Sequence, residues 1–208
     1  MYKAEELCGL SAKPKINDID LNVLQDYYRK FLNPFIYQYD IAEDEKQSSI
    51  QLRFDEENFC HLLGIESIVR YSVSKKDIHN YKGQSGWNFI QSTGLSLNDL
   101  KKMNKSKFRS IKAKFVYFYL MPDIIENPIA VNFENKNVDP PTKIDCDILF
   151  YTKNESAIVH LGIKEDEALG YYIPKTFFVE KIGVDGADIY IDRQKKIIAT
   201  KKNRVIML

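Results

Sequence analysis

The stretch CDILFYTKNESAIVHLGI, residues 146–163, decides how the chain is read. Its runs Cys146 to Tyr151 and Ala157 to Ile163 are apolar, rich in aromatic and β-branched residues, and of strand length, so both are expected as strands. Working outward, Ile129 to Phe133, Thr176 to Val184, Ala187 to Asp192 and Lys196 to Thr200 have the same character. Asp185-Gly186 between two of them is a two-residue hairpin signal, because a type I′ turn requires positive φ at both central positions. Glu134 to Asp145, which contains Pro140-Pro141, reads as a surface loop. The expectation after Pro128 is therefore an antiparallel β-meander.

Before Pro128 the periodicity is mostly helical. Ile16, Ile19, Val23, Leu24, Tyr27 and Phe31 recur at three-and-four spacing behind Asn17 or Asp18 as a cap, and Pro34 ends the pattern. Phe35 to Ile41 and Ser48 to Phe54 flank the polar turn Glu43 to Gln47 and predict a hairpin. Asp55 to Leu63 follows as a short helix with Gly64 as its C-terminal cap. At 100° per residue His61 lies about 200° from Phe59, so it points away from that helix's apolar stripe. Tyr71 to Gly86 reads as a loop and Trp87 to Thr93 as a short helix stopped by Gly94. Ser96 caps a helix to about Met103, and Ser106 caps another with Phe108, Ile111, Phe115 and Phe118 or Tyr119 on one side, running toward Pro122. Phe115 and Phe118 are then expected to be buried, and Lys107 and Lys114 exposed. Helices mostly before strands, without βαβ alternation, give an α+β fold: N-terminal and central helices packed on a C-terminal antiparallel β-meander. The expected organisation is one compact unit, with residues 1–47 as a packed arm of helix and first strand and residues 48–208 as the main domain.

Bulk properties bound the function. With 208 residues, 44% hydrophobic and 28% charged, the chain can bury a core of its own. The longest apolar run, Phe115 to Met121, is far short of the ~20 residues that span a bilayer, and Glu5 and Glu6 stand where a signal peptide needs a basic start. A cytoplasmic, membrane-free protein is expected. Cys8, Cys60 and Cys146 are odd in number and far apart, which fits neither a disulfide framework nor a thiolate zinc site. Net charge is only +1, yet Asp40 to Glu57 is acid-rich, whereas Lys101, Lys102, Lys105, Lys107, Arg109, Lys112 and Lys114 run without an acid. Such segregation is a footprint of nucleic-acid binding.

Chemistry-bearing motifs are few. No glycine-rich phosphate loop, His-Glu-x-x-His, EF-hand or Gly-x-Ser-x-Gly occurs, and His61, His79 and His160 are too separated to read as metal ligands. No cofactor is expected. Two segments carry more. Leu52 to Ile65 leads a strand into the helix with His61 on its polar side, where a plain surface histidine explains the same residues. Tyr171-Tyr-Ile-Pro-Lys-Thr-Phe-Phe178 places Lys175 and Thr176 at a strand entry stiffened by Pro174, where they can meet a phosphate or simply be solvated. Tyr71, Tyr81 and Trp87 offer stacking surfaces for bases, or rings for the core.

Taken together, His-Leu-Leu-Gly-Ile at 61–65, the basic middle and Tyr-Ile-Pro-Lys-Thr-Phe-Phe ahead of the terminal strands resemble the phage-associated barnase, EndoU, colicin and RelE-like nuclease domains, specifically their fourth class. The resemblance spans roughly Ser48 to Lys202. It implies a metal-independent RNase fold of helices and a small antiparallel sheet. Carried over position by position, His61 matches the family's helix histidine and Lys175 and Thr176 its late polar strand entry, with Arg53 as a further candidate. The implied chemistry is attack of the RNA 2′-hydroxyl on the adjacent phosphorus, with His61 as general base or acid, Lys175 and Arg53 as phosphate clamp and Thr176 as hydrogen-bond donor. The lysines of 101 to 114, with Arg109, are the RNA track. A non-catalytic reading stays open: a phage-encoded inhibitor of a host defence protein, or an antitoxin-like partner. A third, an ADP-ribosyl-type transferase, lacks a clear Arg, Ser-Thr-Ser and Glu series.

Overall fold

Tyr27 and Tyr28 meet the sequence-distant Phe59, Trp87 and Phe118 in one aromatic core, with centroids of neighbouring pairs 5.3–6.4 Å apart. Tilted and edge-on ring pairs of this kind stabilise beyond the area they bury. The computed structural model, which describes residues 1–154, 156–182 and 186–207, divides into two compact units. The first, Met1–Pro34 with Asp55–Tyr119, holds this core. Its helices are α1 (Ala4–Cys8), α2 (Leu21–Phe31), α3 (Asn58–Leu62), α4 (Ile65–Val69), α5 (Gly83–Thr93), α6 (Leu97–Met103) and α7 (Lys105–Tyr117). The buried hydroxyls of two of the core tyrosines donate to main-chain carbonyls: Tyr27 to Tyr119 at 2.7 Å, and Tyr28 to Asp55 at 2.8 Å.

Helix ends show what local sequence can specify. Gly64 and Gly94 take positive φ, +70° and +66°, at the ends of α3 and α5, and Ser96 caps α6 in a reciprocal capping box with Asp99. Several starts differ from expectation, that of α3 by falling at Asn58 and not Asp55. α2 is capped by Asp20, because its carboxylate accepts both the Leu21 and Leu97 N–H groups, at 2.7 and 2.8 Å; the second bond is tertiary. α7 is capped by Asn104 rather than Ser106. α5 starts at Gly83, within the expected loop. A Cβ on its Gly86 would lie 2.8 Å from Cys60 Sγ and from the Tyr81 backbone, so glycine here permits close helix packing instead of marking a loop.

The second unit, Phe35–Phe54 with Leu120–Leu208, overturns the expected meander. Strands β1 (Phe35–Glu43), β2 (Lys46–Arg53), β3 (Ile129–Asn132), β4 (Ile148–Asn154), β5 (Ala157–Asp166), β6 (Tyr171–Lys181) and β7 (Lys195–Ile206) close a mixed barrel in the order β1-β2-β6-β5-β4-β3-β7, accompanied by α8 (Met121–Glu126). The hairpin β1–β2 forms as expected, but it enters the barrel between β6 and β7. β2 meets β6 in parallel at Leu52↔Tyr172, while β7 pairs with both β1 and β3. Closure gives the long outer strands partners on both sides and so removes exposed edges, which a meander would leave open.

The Asp185-Gly186 turn rests on Asp185, which lies outside the described residues. The strand expected at Ala187 to Asp192 is absent: residues 187–194 form irregular backbone and consecutive turns, and β6 pairs with β5 and β2 instead. This segment lies over the sheet. Ile191 joins Leu149, Tyr151 and Ile158 in a cluster with Val131 and Phe133, which is why β5 is buried on both faces from Ala157 to Ile163. On the inner side Tyr39 packs on Phe150 at 5.4 Å and donates its hydroxyl to the Ile125 carbonyl at 2.8 Å.

Candidate functional site

α7 carries apolar residues inward and cations outward. Phe115 and Phe118 are buried, whereas Lys101, Lys102, Lys105, Lys107, Arg109 and Lys112 are all exposed. Lys105, Arg109 and Lys112, at i, i+4 and i+7, share one side. With Lys101 of α6 they line a cleft of about 620 Å³ whose apolar wall includes Ile19, Leu97 and Phe108. Among the described residues Asp20 is the one carboxylate in the lining, and its Oδ1 is committed to the two N–H groups of Leu21 and Leu97. Four cations around one engaged carboxylate give the cleft a positive lining, a charge that suits an anion.

Lys114 corrects the expectation of a solvated lysine. It is half-buried, and its Nζ donates to the Leu62 carbonyl at 3.1 Å, tying α7 to the end of α3. Burial, reinforced by the charge of Lys107, pushes the Lys114 ammonium down to about 8. Between about pH 8 and its ordinary 10.5, the unfolded chain keeps a proton that the folded chain has released, so folding gains stability as pH rises through that window. Lys114→Met is expected to be more stable than wild type at pH 7 by about 1–3 kcal/mol and to lose that gain by pH 10.5. Urea midpoints of the two proteins against pH read this difference, and a constant offset would count against it.

His61 sits on α3 as expected from the helical spacing: exposed, between buried Cys60 and Leu62. It belongs to the helical unit. Arg53, Lys175 and Thr176 belong to the barrel, Arg53 at the end of β2 and the other two on β6, strands that pair in parallel at Leu52↔Tyr172. The Arg53 guanidinium lies over the Tyr171 ring, 4.4 Å from its centroid. Lys175 is the extra residue of a β-bulge, since Gly162 pairs with Thr176 and Ile163 with Pro174. Bulges of this kind re-aim a side chain. Thr176 has a packing duty: a Cβ on Gly162 would come within 2.5 Å of its methyl group and 2.9 Å of Cys146 Sγ.

Sequence reading missed a buried pair. His160 and Asp188 are 0% and 5% exposed, with His160 Nε2 donating to Asp188 Oδ2 at 2.7 Å. The imidazole stacks on Phe178, 4.3 Å away and nearly parallel, and meets Tyr190 edge-on at 5.8 Å. Asp188 also organises the covering turn, since its Oδ1 accepts the Tyr190 N–H and its own N–H donates to Asp192. A histidine inside the apolar run of β5 was the available signal; its partner, one of several acids in a later loop, gave none. Among the described residues no three His, Cys, Asp or Glu side chains are grouped so as to hold a metal ion, and no helix is long and apolar enough to cross a membrane.

Comparison with known proteins supplies the class. One family model, of a nuclease kind, covers residues 21–205. The chain belongs to that family, described as phage-Barnase-EndoU-ColicinE5/D-RelE like nuclease4. The match begins ahead of Ser48 and takes in α2 and all of β1. No curated protein and no solved structure matches the chain.

Proposed function

We propose that the chain is a metal-independent endoribonuclease acting for a phage or mobile element. In this reaction the RNA 2′-hydroxyl attacks the adjacent phosphorus and gives up its proton. The bond to the 5′-oxygen breaks, and that oxygen leaves with a proton, so a 2′,3′-cyclic phosphate and a 5′-hydroxyl result. The reading assigns proton transfer to His61, phosphate contacts to Arg53, Lys175 and Thr176, and the RNA backbone to the cations of α6 and α7. Each assignment stands or falls by its own substitution.

Membership in a nuclease family supports cleavage, and the observation that carries the choice of a polyanionic substrate is the convergence of Lys101, Lys105, Arg109 and Lys112 on one cleft. Reversing Lys105, Arg109 and Lys112 to glutamate is expected to weaken RNA binding and to lower the slope of log K against log salt by roughly 2, at about 0.7 per neutralised phosphate on a single strand. Titration at several salt concentrations measures this, and an unchanged slope would remove the cleft from the RNA path. The enzymatic claim is tested by incubating the protein with mixed cellular RNA with and without EDTA. Cleavage that survives the chelator supports the reading. No cleavage of any RNA would favour the non-catalytic alternative, a protein that binds a host defence or immunity partner.

A further inference from the structure

The three rings offered by the sequence as stacking surfaces part company in the fold. Trp87 and Tyr81 are 1% and 7% exposed and belong to the core. Tyr71 is 86% exposed and is the one aromatic among the large exposed hydrophobic residues described. It projects beside a groove of about 200 Å³ lined by Ser67, Arg70, Asn104 and Lys107. This is below the ~300–1,000 Å³ of sites for drug-sized molecules, and it combines an aromatic face, two cations and an amide.

From these features we propose that Tyr71 and its neighbours form a subsite for one unpaired nucleotide, which makes single-stranded RNA the substrate class; the proposal rests on the RNase reading above. The ring stands on backbone held from both sides. The Arg70 N–H bonds to the Glu66 carbonyl at 3.0 Å, the Ser72 N–H to Val69 at 2.7 Å, and Ser72 Oγ donates to the Met103 carbonyl at 2.8 Å. With the backbone held in this way, only the two side-chain torsions of Tyr71 are left to be ordered when a base stacks on the ring. Asn104 Oδ1 is taken by the Lys107 N–H at 3.0 Å, which leaves the amide N–H donors for a base edge. Arg70 pairs with Glu66 at 3.1 Å on the surface, a weak bond that a phosphate can replace. Lys107 lies about 200° around α7 from Lys105, so the helix presents cations both to this groove and to the larger cleft. A base inside a duplex is already stacked on its neighbours and cannot offer its face to Tyr71.

The test uses a single-stranded 2′-O-methyl RNA, which lacks the attacking hydroxyl and stays intact, beside its perfect duplex, both followed by fluorescence anisotropy. Tyr71→Ala is expected to weaken the single strand roughly 10-fold and leave the duplex unchanged, and Tyr71→Phe to bind as wild type. The exposed ring can be removed without opening the core. If Tyr71→Ala binds the single strand as wild type does, while the Lys105, Arg109 and Lys112 reversal loses both probes, the subsite falls and the RNA reading stands; the ring is then free for a protein contact. Equal losses on strand and duplex would also overturn the subsite. A wild type that binds neither probe would overturn both.

Discussion

Asp188→Ala is expected to lower the stability of the barrel unit by roughly 1–3 kcal/mol for each buried donor that it leaves unpaired. The substitution strands His160, fully buried between Phe178 and Tyr190. Among the described residues its Nδ1 already has no hydrogen-bond partner, so both ring nitrogens would then be unsatisfied. It also removes the acceptor for the Tyr190 N–H, loosening the turn that carries Ile191 onto the outer cluster. Gln194, which holds the next residues by bonding both the N–H and the carbonyl of Glu134, at 3.0 and 3.1 Å, cannot replace that contact. Asp188→Asn keeps an acceptor and the turn, so a smaller loss is expected. Urea unfolding measures both, and an alanine variant within 1 kcal/mol of wild type would show that the pair contributes little.

That pair marks the limit of what periodicity could predict. Strand positions in β1, β4 and β5 were legible because aromatic and β-branched residues cluster within each run, that of β2 from the polar turn joining it to β1, and the caps at Gly64, Gly94 and Ser96 because capping is decided within a few residues. Strand partners were not. Nothing in Tyr171 to Lys181 announces that β6 lies against β2, because pairing across so long a separation is chosen by the assembled core. The meander expectation followed chain order, and the barrel interrupts that order by inserting β1–β2. Ala187 to Asp192 has strand-like letters, yet its hydrogen bonds run within a turn built on Asp188.

The candidate site divides in the same way. The lysines of α6 and α7 and the outward direction of His61 followed from helical geometry. Lys114 did not, although it lies at i+3 from Ile111, only about 60° around the helix, and so at the margin of the apolar stripe. Its polar end is satisfied by the Leu62 carbonyl, a partner set by tertiary packing. The Lys175 bulge was hidden for a related reason. A bulge is a mismatch between two strands, and only the β5–β6 register reveals it.

His61→Ala is expected to reduce RNA cleavage on the order of 10²-fold or more, the usual contribution of a general acid or base. The prediction is informative because His61 is exposed on α3 and its truncation removes little packing, so stability should stay within about 0.5 kcal/mol of wild type. Activity and fold can then be read separately. Lys175→Ala tests the phosphate contact on the barrel: a lost cation weakens stabilisation of charge developing on the phosphoryl oxygens even with the proton-transfer group intact. The measurement compares the three proteins on mixed cellular RNA, with and without EDTA, alongside a urea midpoint for each. Loss in His61→Ala at unchanged midpoint, insensitive to chelator, is the expected result. Loss of wild-type cleavage on adding EDTA would replace the proposed chemistry with a metal-dependent one. Equal cleavage by all three proteins would trace the activity to a contaminant and remove His61 and Lys175 from the mechanism, because a real proton-transfer group cannot be deleted without slowing the step it serves.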